Sequence, residues 1–284
     1  MTRRDVPGIA AALLLLSPIL IGGAYSTLAA VGLAGAGAGG LTFDHVSAVV
    51  TSAQTWRGVA WTLSTAGAAT LGAAAAAIFV AVWMRHSRTA SMLAVLPMGV
   101  PHVAAALAAL LMFGQSGLLS RLTAAFGLTA GPSDFPALVY DPAGAALVIT
   151  YVWKEFPYLA LTAMAVLLTD SRELEEVART LGASTRQAFW RVTWPQLWRG
   201  TSPAVLAAFA FLIGQYETPA LLAPSDPTSL PLLIYERTVD PNLARRGEAH
   251  VLALLAFSIC LALVAAHALW RARTSGEPLE HEAR

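Results

Sequence analysis

The few ionisable side chains of this sequence are placed where they act on something inside an apolar medium. Lys154, the only lysine in the chain, stands beside Glu155 in the apolar stretch 143–168, just before Pro157. Charged groups in the middle of such a stretch are costly, and they mark a substrate path or a salt bridge between helices. Neighbours on a helix point about 100° apart and do not pair with each other, so each needs a partner elsewhere or a water-filled cavity. Gln215, Tyr216 and Glu217, ahead of Pro219, form a second polar cluster. They fit substrate contact and an interfacial group meeting water equally well. His102, after Pro101, is a third group that either binds a solute or is hydrogen-bonded within a helix bundle.

Catalytic chemistry finds no support. No His-Glu-x-x-His or Gly-x-Ser-x-Gly occurs, and the remaining histidines lack metal-ligand spacing, so neither metal nor resident cofactor is expected. There is no Gly-x-x-x-x-Gly-Lys-Ser/Thr, and Lys154 is the sole lysine, so a phosphate-cradling loop of that kind cannot be built. Gly35, Gly37 and Gly40 match a dinucleotide-binding spacing, but without the strand and helix that would give it meaning they read as a linker. Cys260 is alone, which rules out an internal disulfide.

The elements that must position these groups are membrane helices. Hydrophobic residues make up 56% of the 284-residue chain and charged ones 12%, where a soluble domain carries about 25%; mean hydropathy is +0.61. A transmembrane helix needs roughly 20 mostly apolar residues. Six windows qualify, at about 8–34, 58–83, 90–113, 143–168, 200–223 and 249–270, giving one all-α, six-span transmembrane domain over 1–284. The first apolar run is longer than a signal-peptide core and is read as a retained span. With the N-terminus inside, about 12 arginines face the cytoplasm (Arg3, Arg4, Arg85, Arg88 and Arg284 among them) and about 5 face outward, which places both termini in the cytoplasm. Trp56, Trp83, Trp198 and Trp270 fall near span ends, as interfacial aromatics do. The net charge of +1 and the lack of a basic, aromatic-laced stretch exclude a nucleic-acid partner; membrane lipid is the expected surroundings.

One long polar stretch, 171–199, faces the cytoplasm between the fourth and fifth windows. Ser171, Leu174, Val177, Ala178 and Leu181 predict a capped amphipathic helix, and Gly182 is placed to end it. Ala188, Phe189, Val192 and Trp194 give a second apolar stripe before Pro195. Two short helices meeting at a glycine make a compact knob. On these residues alone, a connector lying on headgroups and a docking element fit equally.

The same stretch resembles the cytoplasmic loop of binding-protein-dependent ABC importer permeases, whose pattern is Glu-Ala-Ala, three residues, Gly, nine residues, then Ile-x-Leu-Pro. Glu176, Ala178, Gly182, Val192 and Pro195 stand at those spacings, with Val177, Val192 and Trp194 replacing other apolar residues. The resemblance implies the type I importer fold and a coupling helix docked on a separate cytoplasmic ATPase dimer, which carries the ATP and Mg. Glu176 would then be a polar contact, Gly182 the bend, and Ala178, Ala183, Ser184, Val192 and Pro195 the surrounding coupling surface. It further implies a second permease subunit, identical or homologous, an extracytoplasmic substrate-binding protein, and a bacterial inner membrane. Leu230-Pro-Leu-Leu-Ile-Tyr235 with Asp240-Pro241 loosely resembles the spermidine/putrescine-type branch. A path past Glu155 and Glu217 suits a polyamine or another small organic solute, while Lys154 argues against a purely anionic route; sugars, iron complexes and anions stay open. The rival reading is an ion-coupled secondary transporter, for which matching ionisable residues in the two halves are wanting.

Overall fold

The computed structural model describes residues 6–35, 37–84, 88–169 and 171–275, and among them the chain is helical without strands. Arg3, Arg4, Arg85 and Arg284 lie outside the described residues. The helices are α1 (Val6–Ala30), α2 (Asp44–Thr51), α3 (Ala53–Met84), α4 (Arg88–Val95), α5 (His102–Phe113), α6 (Leu118–Ala125), α7 (Ala145–Thr169), α8 (Ser171–Thr180), α9 (Thr185–Ala188), α10 (Trp194–Ile213), α11 (Glu217–Leu222), α12 (Leu230–Thr238) and α13 (Arg246–Ser275). Four stretches, Leu13–Ala30, Ala53–Trp83, His102–Ala125 and Leu243–Thr274, are long and apolar enough to cross a membrane. At 25 residues, α7 spans about 37 Å, long enough as well, and carries the Lys154–Glu155 pair. A six-span count is consistent with these helices.

Small residues decide how closely the helices approach. Ala66, Ala69, Ala73, Ala77 and Ala81 form one stripe along α3, spaced three or four apart and fully buried. Opposite them α7 presents Leu147, Tyr151, Leu159, Ala160 and Ala163, also buried, and this pair is the spine of the bundle. Methyl-sized side chains let backbones close where lipid offers no hydrophobic drive to associate. Ala204 and Ala208 bring α10 onto both helices, while α1 and α12 pack on α13. Outer segments are tied back by hydrogen bonds: Trp61 Nε1 donates to the Pro142 carbonyl (2.7 Å) and the Leu230 N–H to Thr62 Oγ1 (2.9 Å).

Two expected windows are not single helices, and proline chemistry explains both. A proline has no N–H for the carbonyl four residues earlier. Pro18 and Pro203 follow serines whose hydroxyls donate to the carbonyls thus orphaned, Ser17 Oγ to Leu14 (2.8 Å) and Ser202 Oγ to Arg199 (3.5 Å), and both helices run on. Pro157 follows Phe156 and α7 also runs on, whereas the chain breaks ahead of Pro101, which follows Val100. Val100 is extended (φ −89°, ψ 124°), as the residue before proline prefers. The window 90–113 therefore divides into α4, a 3₁₀ turn at Leu96–Gly99, and α5. The window 200–223 starts earlier, at Trp194, and stops at Ile213. Gly214 caps it, and α11 follows with Pro219, which has no N–H for the Gln215 carbonyl.

Gly58 marks the tightest approach of α3 to an outer segment: a Cβ there would stand 2.6 Å from the Thr228 carbonyl oxygen and 2.8 Å from Leu233 Cδ1. Gly58→Val should lower the apparent Tm of the detergent-solubilised protein by roughly 2–10 °C, the overpacking cost of a filled seam. Gly22→Val, at a position with nothing within 4 Å, should leave it unchanged; equal Tm values for the two variants would refute the close seam.

Candidate functional site

Residues 171–193 form a knob built to hold its shape. Helix α8 stops where Gly182 turns left-handed (φ +90°), a conformation that glycine adopts without strain. The Gly182 N–H donates to the Arg179 carbonyl and the Ala183 N–H to the Ala178 carbonyl, both at 3.0 Å. These two bonds are the Schellman closure of a helix. A Cβ on residue 182 would touch nothing within 4 Å, so conformation rather than space calls for glycine. Directly after it, Ser184 caps α9: its hydroxyl accepts from the Gln187 N–H (3.3 Å) and its own N–H donates to Gln187 Oε1 (2.9 Å). A helix stop and a helix start thus share three residues, Gly182 to Ser184.

Two features of the knob escaped the sequence reading. The reciprocal cap was legible as Ser184-x-x-Gln187, a capping-box pattern. The continuation was not: a π-helical turn at Phe189–Thr193 carries α9 straight into α10, with Pro195 in its first turn, so the second stripe is the root of α10 rather than a separate helix. Phe189, Trp190 and Trp194 cluster there with ring centroids 5.3–6.4 Å apart. Thr193 Oγ1 donates to Glu175 Oε2 (3.4 Å) and ties this root to α8.

The apolar side of the knob is open. Leu174 is 47% exposed, Val177 53%, Leu181 83% and Trp190 54%. Glu176 and Ser184 are exposed as well, while Ala178, Ala183, Val192 and Pro195 are half-buried. An amphipathic helix that leaves its apolar residues uncovered presents a surface for something else to cover.

The other predicted groups gather into a polar belt where α5, α7, α10 and α11 meet. Lys154 is 7% exposed, and its Nζ donates to the carbonyls of Pro97 (2.9 Å) and Val100 (2.6 Å). Glu155, equally buried, places Oε1 3.7 Å from Nε2 of His102, just beyond hydrogen-bond reach. His102 opens α5 and packs on Phe211 of α10, centroids 5.3 Å apart. Helix α11 lies against α5 with the exposed Glu217 in its first turn; Gln215 and Tyr216 are half-buried beside it, and Tyr216 meets the ring of Tyr235 at 4.9 Å. The structure thus brings His102, Lys154 and Glu155 together and sets Gln215 to Glu217 at the neighbouring helix end. Tyr151, one turn before Glu155 on α7, has a buried hydroxyl without a hydrogen-bond partner among the described residues, a polar atom that the residue pattern does not single out.

A bundle of small-residue helices with an open, capped knob and a mid-membrane polar belt is the architecture of a transport permease. Residues 85–273 match the family described as binding-protein-dependent transport system inner membrane component, and the chain belongs to that family. It is 30% identical over 228 residues to the molybdenum transport system permease protein ModB of Mycobacterium tuberculosis, covering 77% of this chain and 79% of that protein. The sulfate transport system permease protein CysW of Synechocystis is 30% identical over 165 residues, 57% of this chain and 56% of its own. Among solved structures, a bacterial alginate ABC transporter in complex with alginate pentasaccharide-bound periplasmic protein matches in fold over 98% of both chains, with a TM-score of 0.73 at 18% identity. The chain is accordingly a multi-pass, non-catalytic transport subunit. The molybdate and sulfate relatives lend the polyamine expectation no support.

Ser184→Ala removes the acceptor of the reciprocal cap, worth about 0.5–2 kcal/mol. Amide exchange within 185–193 should accelerate about 2- to 30-fold, the same free energy expressed as an opening constant. Exchange in the α3–α7 spine should not change, and an unaltered rate within 185–193 would show that the cap is not holding the knob.

Proposed function

We propose that this chain is the permease of an oxyanion importer, that its α8–α9 knob docks on a separate cytoplasmic ATPase dimer, and that both termini lie in the cytoplasm. The observation that carries the reading is the open apolar side of a knob locked by a helix closure and a reciprocal cap. A headgroup connector has no need of such rigidity, whereas a part that transmits a push does. Glu176, Ala178, Gly182, Ala183, Ser184, Val192 and Pro195 belong to this contact or shape it. The working unit contains two permeases, and an extracytoplasmic binding protein meets the outer segments; the periplasmic protein bound to the alginate transporter supports that partner. ATP and Mg reside on the ATPase.

The molybdate and sulfate permeases among the relatives support an oxyanion as cargo. Acidic residues near the route are compatible with that. A path must bind its cargo weakly enough to release it, and the binding protein supplies selection. Substrate contact falls to the accessible side of the belt, His102 with Gln215, Tyr216 and Glu217, because Lys154 directs its donors to backbone carbonyls. Family membership disfavours the ion-coupled secondary transporter.

The docking test uses a Cys260→Ser background with a single cysteine replacing Thr185, which is exposed and outside the Ser184–Gln187 cap. Cross-linking to the co-expressed ATPase should form and respond to nucleotide. A cysteine reachable by reagents added to the cytoplasmic side but never captured by the ATPase would refute the docking role, and labelling from outside alone would refute the orientation. In the same vesicles, radiolabelled molybdate or sulfate should accumulate with ATP and the binding protein; uptake of spermidine instead would overturn the oxyanion reading.

A further inference from the structure

We propose that Lys154 is a positioning residue for transport: it fastens the Pro97–Val100 bend to α7, so that movement of the knob is delivered to the middle of the membrane. The inference rests on the reading of the knob as the ATPase contact. In a continuous helix the Pro97 carbonyl would accept from residue 101, and proline has no N–H to give. Within a bilayer no water makes up the loss. The Val100 N–H closes the 3₁₀ turn onto the Pro97 carbonyl at 3.3 Å, and Lys154 Nζ, from a different helix, adds a second donor to that oxygen at 2.9 Å and reaches the Val100 carbonyl at 2.6 Å. A buried ammonium is expensive, and a leucine would fill the same space more cheaply. What the leucine lacks is a directional bond to the broken segment.

Both arms of the knob lead to this bend. Upstream, α7 ends at Thr169 and α8 opens at Ser171, and α7 carries Lys154 about four turns back. Downstream, α9 runs through the π turn into α10, whose Phe211 packs on His102, the first residue after the bend. On the α7 side Glu155 faces the same histidine at 3.7 Å. A displacement of the knob therefore reaches the Pro97–His102 segment through two helices, and Lys154 makes the bonded one of the two junctions. At the bend the helical hydrogen bonding between α4 and α5 is interrupted, and there a rigid-body shift can be converted into a local opening.

The test uses the complete transporter, with ATPase and binding protein, in proteoliposomes. Lys154→Met should reduce cargo moved per ATP hydrolysed by about tenfold, within the range of known coupling free energies, while hydrolysis and the Thr185 cross-link persist. Lys154→Arg, which keeps a charged donor, should restore most of the ratio. Pro101→Ala returns an N–H to the Pro97 carbonyl, so the added effect of Lys154→Met should shrink in that background. A wild-type ratio in Lys154→Met, or hydrolysis and transport lost in proportion, would overturn the proposal. Loss of the cross-link in otherwise wild-type protein would instead refute the docking reading beneath it. Should Lys154→Met fail to assemble, spin labels at Met98 and Tyr158 in the native background serve. Their separation should stay constant across nucleotide states, because bend and α7 move together, and a nucleotide-dependent change would overturn the proposal.

Discussion

Pro101 has no N–H for the Pro97 carbonyl, which keeps the 3.3 Å bond from the Val100 N–H but, inside a bilayer, has no water for its second lone pair. Much of the bundle's centre is arranged around this deficit. The chain leaves helical geometry at Val100, re-enters it at His102, and the gap is closed by an ammonium from α7. Serine-backed prolines elsewhere need no such help: Ser17 and Ser202 supply their own carbonyls, and α1 and α10 stay whole. Pro157 follows Phe156 and α7 still runs on, so the bend belongs to the extended Val100 ahead of Pro101 and not to every proline without a serine before it.

The rest of the structure divides between parts that exclude movement and parts that await a partner. The alanine stripe of α3 against α7 leaves little room for sliding, since each of its residues is fully buried in the packed helices. At the α8–α9 knob the logic reverses. Local hydrogen bonds fix the backbone from Ala178 to Gln187, yet Leu181, the residue at the very turn, is more than four-fifths exposed. Rigidity without coverage is unfavourable for an isolated subunit and sensible for one half of an interface.

Much of this was legible from the residues, for stated physical reasons. Span-length apolar runs identify membrane helices because the bilayer sets their length, and Gly182 announces a helix end because glycine tolerates a positive φ. Membership of the permease family was readable in the spacing from Glu176 to Pro195. Two things were not. Hydropathy averaged over a window cannot register a single missing N–H, so 90–113 and 200–223 passed as uninterrupted spans. Lys154 was recognisable as functional or structural but not as which, because its acceptors are main-chain carbonyls more than fifty residues away, and every residue type has those. The cargo stayed open for a related cause: acidic side chains near a route favour a cation by charge alone, whereas specificity in a system with an external binding protein need not reside in the permease at all.

That division of labour bears on what the permease contributes. It carries no Gly-x-x-x-x-Gly-Lys-Ser/Thr loop. In the proposed reading its part is to turn a partner's closure into a change of access, and a lever of this kind works only if little is lost along its length. Helices transmit displacement well when no loop intervenes, and here no residue separates α9 from the π turn that enters α10. A flexible connector at that junction would absorb the push through soft backbone dihedrals. The capped knob, the continuous α9–α10 path and the lysine across the bend each remove one such soft joint. The proline break between α4 and α5 is left beside His102, the group that the proposed path shares with Gln215, Tyr216 and Glu217.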